Sequence, residues 1–447
     1  MSAVLARSVS RTEGVDKVRA LQRVLYRSAK QDPDRRFHAL FDKVTGGDVL
    51  WRAWGEVRAN RGAPGVDGLT IDAVEESGVG GFLDGLAVAL RAGTYRPQPL
   101  RRVNIPKPGK PGQTRPLGIP CLRDRVAMTA AKIILEPIFE ADFLPSSHGF
   151  RPKRSAHQAL QAVRGTANRG AHWVLDADIK ACFDNIDHDA LMGQVERRVS
   201  DRNMLKLLRC WLRAGVFEGG VVAATEAGTP QGSPVSPLLA NIALHLLDEE
   251  WARTTSRRLG TLVRYADDLV ILCATRDRAE QARARVTAVL EPLGLFLHPD
   301  KTRIVHLARG AEGFDFLGFH NHLRRSHRWR NRWYLQQWPS TRAMTSIRGK
   351  VRALTTHSMT SLPLEAVVHR MNPVLRGWGN YFRHGNSTAQ FATIDSYVNQ
   401  RLAMLASHKH GLRGWNRTTR FNHQWATSLG IHRLAGTVTY GPAHASR

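Results

Sequence analysis

Two adjacent aspartates inside an apolar run constrain this chain more than any other feature. They are Asp267 and Asp268 of RYADDLVIL, residues 264–272. Adjacent carboxylates repel each other, and each costs free energy to remove from water. The surrounding stretch LVRYADDLVILC (262–273) reads as a β-hairpin, two short apolar runs around a tight acidic turn. Acids paired at a hairpin tip make sense when a divalent cation lies between them and a third acid. Mg²⁺ prefers oxygen ligands and is usually held by one or two carboxylates plus substrate phosphates. Two such ions stabilise the attacking and leaving oxygens of an in-line phosphoryl transfer.

The third acid belongs on a neighbouring strand. HWVLDADIKACFDNIDH (172–188) starts as a strand and ends near a helix start, with Asp187 as the expected N-cap. Asp178 ends the strand-like run, where a side chain projects from a sheet edge. Asp176, two residues back on the same face, is the alternative. Asp184 reads as a turn or cap residue. A transferring triphosphate also needs cations opposite the metals. The stretch VNIPKPGKPGQTRPLGIP (103–120) reads as a strand, a basic hairpin or loop and a second strand, and a basic loop is a natural source.

The charge points to a polyanionic partner. The formal net charge is +27 and the isoelectric point near 11.0, which fits nucleic acid. From His320 to Arg447 there are 19 Lys/Arg against two acids, Glu365 and Asp395, and six of the 11 Trp lie there too. Basic residues interleaved with aromatics suit a sugar–phosphate backbone with bases to stack on. The four cysteines form no C-x-x-C pair, which disfavours zinc and disulfides and fits a reducing cytoplasm. The first residues make a poor signal peptide, and no apolar run approaches 18 residues, so no membrane span is expected.

Elsewhere the patterns are mostly helical. Val15, Val18, Leu21, Val24 and Leu25 share one face of a basic amphipathic helix over 15–30. A helix runs from Leu122 to about Phe139, and GTPQGSPVSPLLANIALHLLDEE (228–250) is a turn feeding a long apolar helix. LGLFLHPDKTRIVHL and FDFLGFHNH supply further strands. From about Ser340 to His408 the pattern is helical, broken at Pro339, Pro363 and Pro373.

In order along the chain, these motifs resemble the reverse transcriptases, specifically the group II intron-encoded reverse transcriptase/maturase family. GAPGVDG (62–68), IPKPGKPGQTRPLGIP and SSHGFRPKRSAHQAL look like fingers blocks. DADIKACFDNIDH, GTPQGSPVSPLLANIALH, RYADD and LGLFLHPDKT look like palm blocks. FDFLGF looks like the palm-to-thumb junction, and MNPVLRGWGNYFRHGNS (371–387) like the maturase segment. The resemblance implies an α+β right-hand polymerase: fingers, a palm with an antiparallel sheet plus helices, and an α-helical thumb/maturase domain. The expected divisions are an N-terminal extension and start of fingers at 1–95, fingers and palm at 96–320, thumb at 321–412 and a basic tail at 413–447.

The resemblance also implies site roles. Asp178, Asp267 and Asp268 would be the catalytic, metal-binding acids for two Mg²⁺, with Mn²⁺ as a possible substitute. Phe183 would stack under the incoming sugar, and Gln231 would lie at the nucleotide pocket. Lys107, or Lys110 in its place, and Arg115 would grip the triphosphate. Arg151, Lys153 and Arg154 would meet template phosphate. Tyr265, Gly377, Trp378 and Tyr381 read as packing. The implied partners are group II intron RNA, an RNA template with a DNA primer, target DNA and dNTPs, in a bacterial cytoplasm and partly at the nucleoid. No Cys pair or H-N-H pattern follows Gly411, so the DNA endonuclease of many relatives is not expected. A free-standing reverse transcriptase with a host role in phage defence or spacer acquisition is the enzyme alternative. A splicing cofactor without polymerase activity is the other, disfavoured by the intact YADD, Asp178 and PQG.

Overall fold

The computed structural model describes residues 16–106, 112–218, 221–223, 227–229, 232–255, 258–307, 312–325, 333–411 and 420–439. Lys107, Lys110 and Gln231 lie outside the described residues.

Among the described residues, three sheets organise the fold. The first joins β1 (Leu100–Pro106), β2 (Thr114–Ile119), β4 (Val216–Glu218) and β5 (Val221–Ala223) in the order β2-β1-β4-β5. The second joins β3 (Trp173–Asp178), β6 (Thr261–Tyr265), β7 (Asp268–Cys273) and β8 (Arg303–His306) in the order β6-β7-β3-β8, antiparallel throughout. The third joins β9 (Phe314–Phe316), β10 (Phe319–Arg325) and β11 (Trp333–Pro339), again antiparallel. These sheets with helices packed on them make the α+β architecture expected from the sequence. The expected division at 320/321 falls inside β10.

Strand alternation explains why the second sheet sits in the middle. Leu175, Ala177, Leu262, Leu269 and Ile271 face one core, which also holds the helices Leu122–Glu140 and Ser236–Glu250. Val174, Val263, Val270 and Leu272 face a second core, shared with the helices Ala156–Ala167, Leu364–Phe382 and Thr388–Lys409. Both faces of these strands are thus buried, and their apolar runs are nearly continuous for that reason.

Two helical expectations need correcting. Pro373 does not break its helix; Leu364–Phe382 runs through it. A proline removes one backbone hydrogen bond, but the buried stripe Val367, Val368, Met371, Leu375 and Phe382 spans the site and holds both halves in line. In the first helix, Lys17–Gln31, Val18 and Leu25 are buried as expected, whereas Val24 is 58% exposed because the buried stripe continues through Ala29. The expected N-cap is present: the Asp187 side chain accepts from Ala190 N at 2.7 Å. Among the described residues, no helix is long and apolar enough to cross a membrane.

Candidate active site

The hairpin β6–β7 turns through only two residues, Ala266 and Asp267, since Tyr265 pairs with Asp268. Ala266 is left-handed, with φ 57°, a conformation that two-residue hairpin turns commonly need. On the other side of β7, β3 runs antiparallel in a register that sets Asp178 opposite Asp268 and Asp176 opposite Val270. Side chains opposite one another in an antiparallel pair share a face. Asp178, Asp268 and Asp176 therefore lie on one face of the sheet, with Asp267 at the turn above them.

This crowding shows in the protonation equilibria. Desolvation among the crowded acids, then the charges of Asp267, Asp178 and Asp176, push the Asp268 carboxyl up to about 7, although the residue is exposed. Burial and Asp178 also raise Asp267. Burial raises Asp176 to about 6 against the pull of Arg303. Cations already answer part of this charge. Lys301 Nζ lies 2.6 Å from Asp178 Oδ2, and Arg303 Nε lies 3.2 Å from Asp176 Oδ2. Among the described residues no three carboxylate, imidazole or thiol groups converge at metal-ligand spacing; Asp178 is engaged by Lys301 instead. The donor set itself fits a hard divalent cation. It is all carboxylate oxygen, mutually repelling, and Asp178 already draws the compact ammonium of Lys301.

A buried arginine holds the hairpin in place. Arg264, fully buried, donates from Nε to Asp248 Oδ1 (3.1 Å) and from Nη2 to Asp248 Oδ2. Nη1 donates to Asn241 Oδ1 and Ala266 O, both at 3.0 Å, and Nη2 to Ser147 Oγ at 2.9 Å. One guanidinium thus ties the helix Ser236–Glu250, the loop at 146–149 and the turn itself. Burial alone would push Asp248 up, but Arg264 and His245 bring it below the usual carboxylate range.

The expected nucleotide-side residues are linked by close backbone packing. Phe183 lies on the short helix Cys182–Asn185, half-buried against the first core. Its carbonyl accepts from Thr229 N, and Gly228 N donates to Ile186 O at 2.8 Å. A Cβ on Gly228, with φ 88°, would come within 2.7 Å of the Asp184 backbone, so this turn accepts only glycine. A Cβ on Gly232 would lie 2.6 Å from Gly118 O on β2. Arg115, exposed on β2, pairs with Ile105. Both flanks of Gln231 thus border the short helix and the β1–β2 hairpin.

The basic cluster divides. Lys153 is exposed and Arg154 half-buried. Arg151 does not meet solvent, and its assignment to template phosphate is corrected. Its side chain is 2% exposed, and it donates to Glu140 Oε2 (2.9 Å) and Oε1 (2.7 Å) and to the carbonyls of Leu144 (2.6 Å), Ser147 (2.7 Å) and Phe143 (3.2 Å). That uses all five N–H donors of a guanidinium. Tyr265 packs half-buried against the second core, as do Trp378 and Tyr381.

Comparison with known proteins matches the chain to reverse transcriptases. Residues 105–321 match the family described as reverse transcriptase (RNA-dependent DNA polymerase), and 344–425 match the group II intron maturase-specific domain. The chain is 35% identical over 346 residues to protein YkfC of Escherichia coli (strain K12), covering 69% of this chain and 89% of that protein. It is 39% identical over 225 residues to the group II intron-encoded protein LtrA of Lactococcus lactis subsp. cremoris, covering 50% of this chain and 37% of that protein. The chain belongs to the group II intron-encoded reverse transcriptase/maturase family. A 91 kDa protein encoded in the cob intron of Schizosaccharomyces pombe is 29% identical over 404 residues, covering 74% of this chain and 48% of that protein. Reverse transcriptases are RNA-directed DNA polymerases and generally use divalent metal ions.

Sequence reasoning missed three residues around this candidate site. Lys301 stands in the quoted HPDKT and Arg264 in the quoted RYADD, but neither was assigned a role; Arg303 went unremarked. The available signal for Arg264 was a charge at the centre of an otherwise apolar strand.

Proposed function

We propose that Asp178, Asp267 and Asp268 hold two Mg²⁺ ions for DNA synthesis on an RNA template, Mn²⁺ substituting. The observation that carries this is the register that sets Asp178 opposite Asp268, with Asp267 on the adjoining turn. Bound metal would supply Lewis-acid stabilisation of the attacking and leaving oxygens. The protein's own part is to place the acids on a rigid sheet, anchored by Arg264, and to give Asp178 a resting counter-ion in Lys301. Arg115 and a lysine at 107 or 110 bind the triphosphate, with Gln231 beside the nucleotide. Phe183 packs against the sugar and excludes a 2′-hydroxyl. Lys153 and Arg154 meet template phosphate, and the basic segment from residue 320 onward binds intron RNA, assisting splicing and retrohoming into target DNA.

The test is primer extension on poly(rA)/oligo(dT) with Mg²⁺. Asp178→Ala, Asp267→Ala and Asp268→Ala should each abolish extension while RNA binding persists, because affinity comes from basic surfaces. Parental extension by Asp267→Ala would refute the assignment.

A further inference from the structure

Phe150 goes against two ordinary preferences at once. Its backbone is left-handed, with φ 54°, a strain that non-glycine residues bear where the surrounding structure over-determines them, commonly at functional sites. The residue is also 53% exposed, so burial of the aromatic does little to offset that strain.

The residue is firmly framed. His148 N donates to Arg264 O and Arg264 N to Ser146 O, both at 2.8 Å, so the preceding segment lies along the free edge of β6. Gly149 O accepts from Asn241 Nδ2 at 2.8 Å. A Cβ on Gly149 would stand 2.3 Å from Ala266 N, so the loop is pressed onto the catalytic turn. On the other side Arg151 is fixed by its five hydrogen bonds. The fold thus holds an exposed aromatic residue next in sequence to the glycine that packs on this turn.

The sheet order sets Phe150 on one flank of the acids. The opposed acids lie between β7 and β3, whereas Phe150 lies beyond β6, on the opposite flank of the hairpin. That is about two strand spacings, roughly 10 Å, to the side. A primer end reacting over the acids leaves its partner strand to one flank. On this flank the loop continues into Lys153, exposed and left-handed with φ 60°, and Arg154. A ring followed by cations suits a base or ribose face and its phosphate.

We propose that Phe150 positions the template, its ring packing against a template nucleotide next to the reacting pair. This rests on the reading of Asp178, Asp267 and Asp268 as the polymerase acids, and it assigns a specific contact to the template strand.

Full-length Phe150→Gly, Phe150→Ala and Phe150→Trp would be compared in steady-state extension on an RNA template. Phe150→Gly relieves the backbone strain while removing the ring, and a parental thermal unfolding midpoint would separate loss of the ring from misfolding. The expected result is that Gly and Ala raise KM for primer–template roughly 5- to 150-fold, the range of base–aromatic stacking. KM for dNTP should stay within about twofold, and Trp should restore template affinity. Placing an abasic nucleotide at successive template positions should weaken the parent at one position and leave Phe150→Gly indifferent there. Parental KM for primer–template in both Gly and Ala would overturn the proposal, as would a rise confined to KM for dNTP. Failure of the carboxylate reading is separable, because it would appear as retained extension by Asp267→Ala.

Discussion

Replacing Arg264 by methionine should destabilise the protein and disable the hairpin together. Methionine keeps much of the length and apolar stem, so the change is chiefly the loss of a guanidinium. Arg264 and Asp248 are both wholly inaccessible to solvent. Removing the cation leaves Asp248 buried beside His245 without its main partner, along with unpaired oxygens on Asn241, Ser147 and Ala266. Breaking a buried ion pair from one side typically costs about 3–5 kcal/mol. The pair itself carries a large desolvation cost, so replacing both partners with apolar groups should be far milder. Arg264→Met/Asp248→Leu should therefore recover most of the loss, a coupling of at least about 2 kcal/mol in a double-mutant cycle.

Denaturant unfolding followed by far-UV circular dichroism would give these values, and primer extension on the same preparations the activity. The hairpin adds a second expectation. Ala266 O loses its donor in both variants, so the double variant should regain stability without regaining parental extension. A cost below about 1 kcal/mol for Arg264→Met would refute the reasoning, since it would mean that Asp248 is neutral or hydrated in the folded protein. Full activity in the double variant would show that the turn does not depend on the guanidinium.

Three further outcomes are expected. Gly149→Ala places a methyl group 2.3 Å from Ala266 N, so it should cost about 1–3 kcal/mol by overpacking and lower extension, measured by denaturant unfolding and single-turnover kinetics. Phe183→Val should raise rNTP incorporation roughly 5- to 150-fold relative to dNTP by opening space at C2′, as read by single-nucleotide kinetics with GTP and dGTP; an equal fall in both would make the ring structural. For Asp268 the folded-state value, about 7, lies above the ordinary 3.8, so without metal the group's contribution to stability is present below about pH 4 and lost as pH rises through 7. In EDTA at pH 8, Asp268→Asn should exceed the parent in stability by about 1 kcal/mol after solvent screening at its exposed edge; the difference should vanish at pH 4 and narrow with Mg²⁺, and an unchanged difference across pH would exclude the carboxylate repulsion.

The contrast between Asp267 and Arg151 shows which parts of such a site a sequence displays. The hairpin was legible because its signals are local: two apolar runs, a short gap and acids at the tip. Asp187 at its helix start was legible for the same reason. Register is not local. That Asp178 rather than Asp176 stands opposite Asp268 depends on how β3 slides along β7, two segments some 90 residues apart. Cations are harder still. Arg151, Lys153 and Arg154 form one basic run, yet one is a buried strut and another meets solvent. What separates them is Glu140, eleven residues earlier on another element. Arg264 stood in plain view within an apolar strand, but alternation could not say which way it pointed, because Leu262, Val263 and Arg264 are all buried. A strand covered on both faces has no polar side to mark its direction. The carboxylates proposed to perform the chemistry were therefore nominated by chemical type and spacing, whereas the residues that brace the turn and its neighbouring loop, Arg264 and Arg151 above all, became visible only through partners that the folded chain brings together.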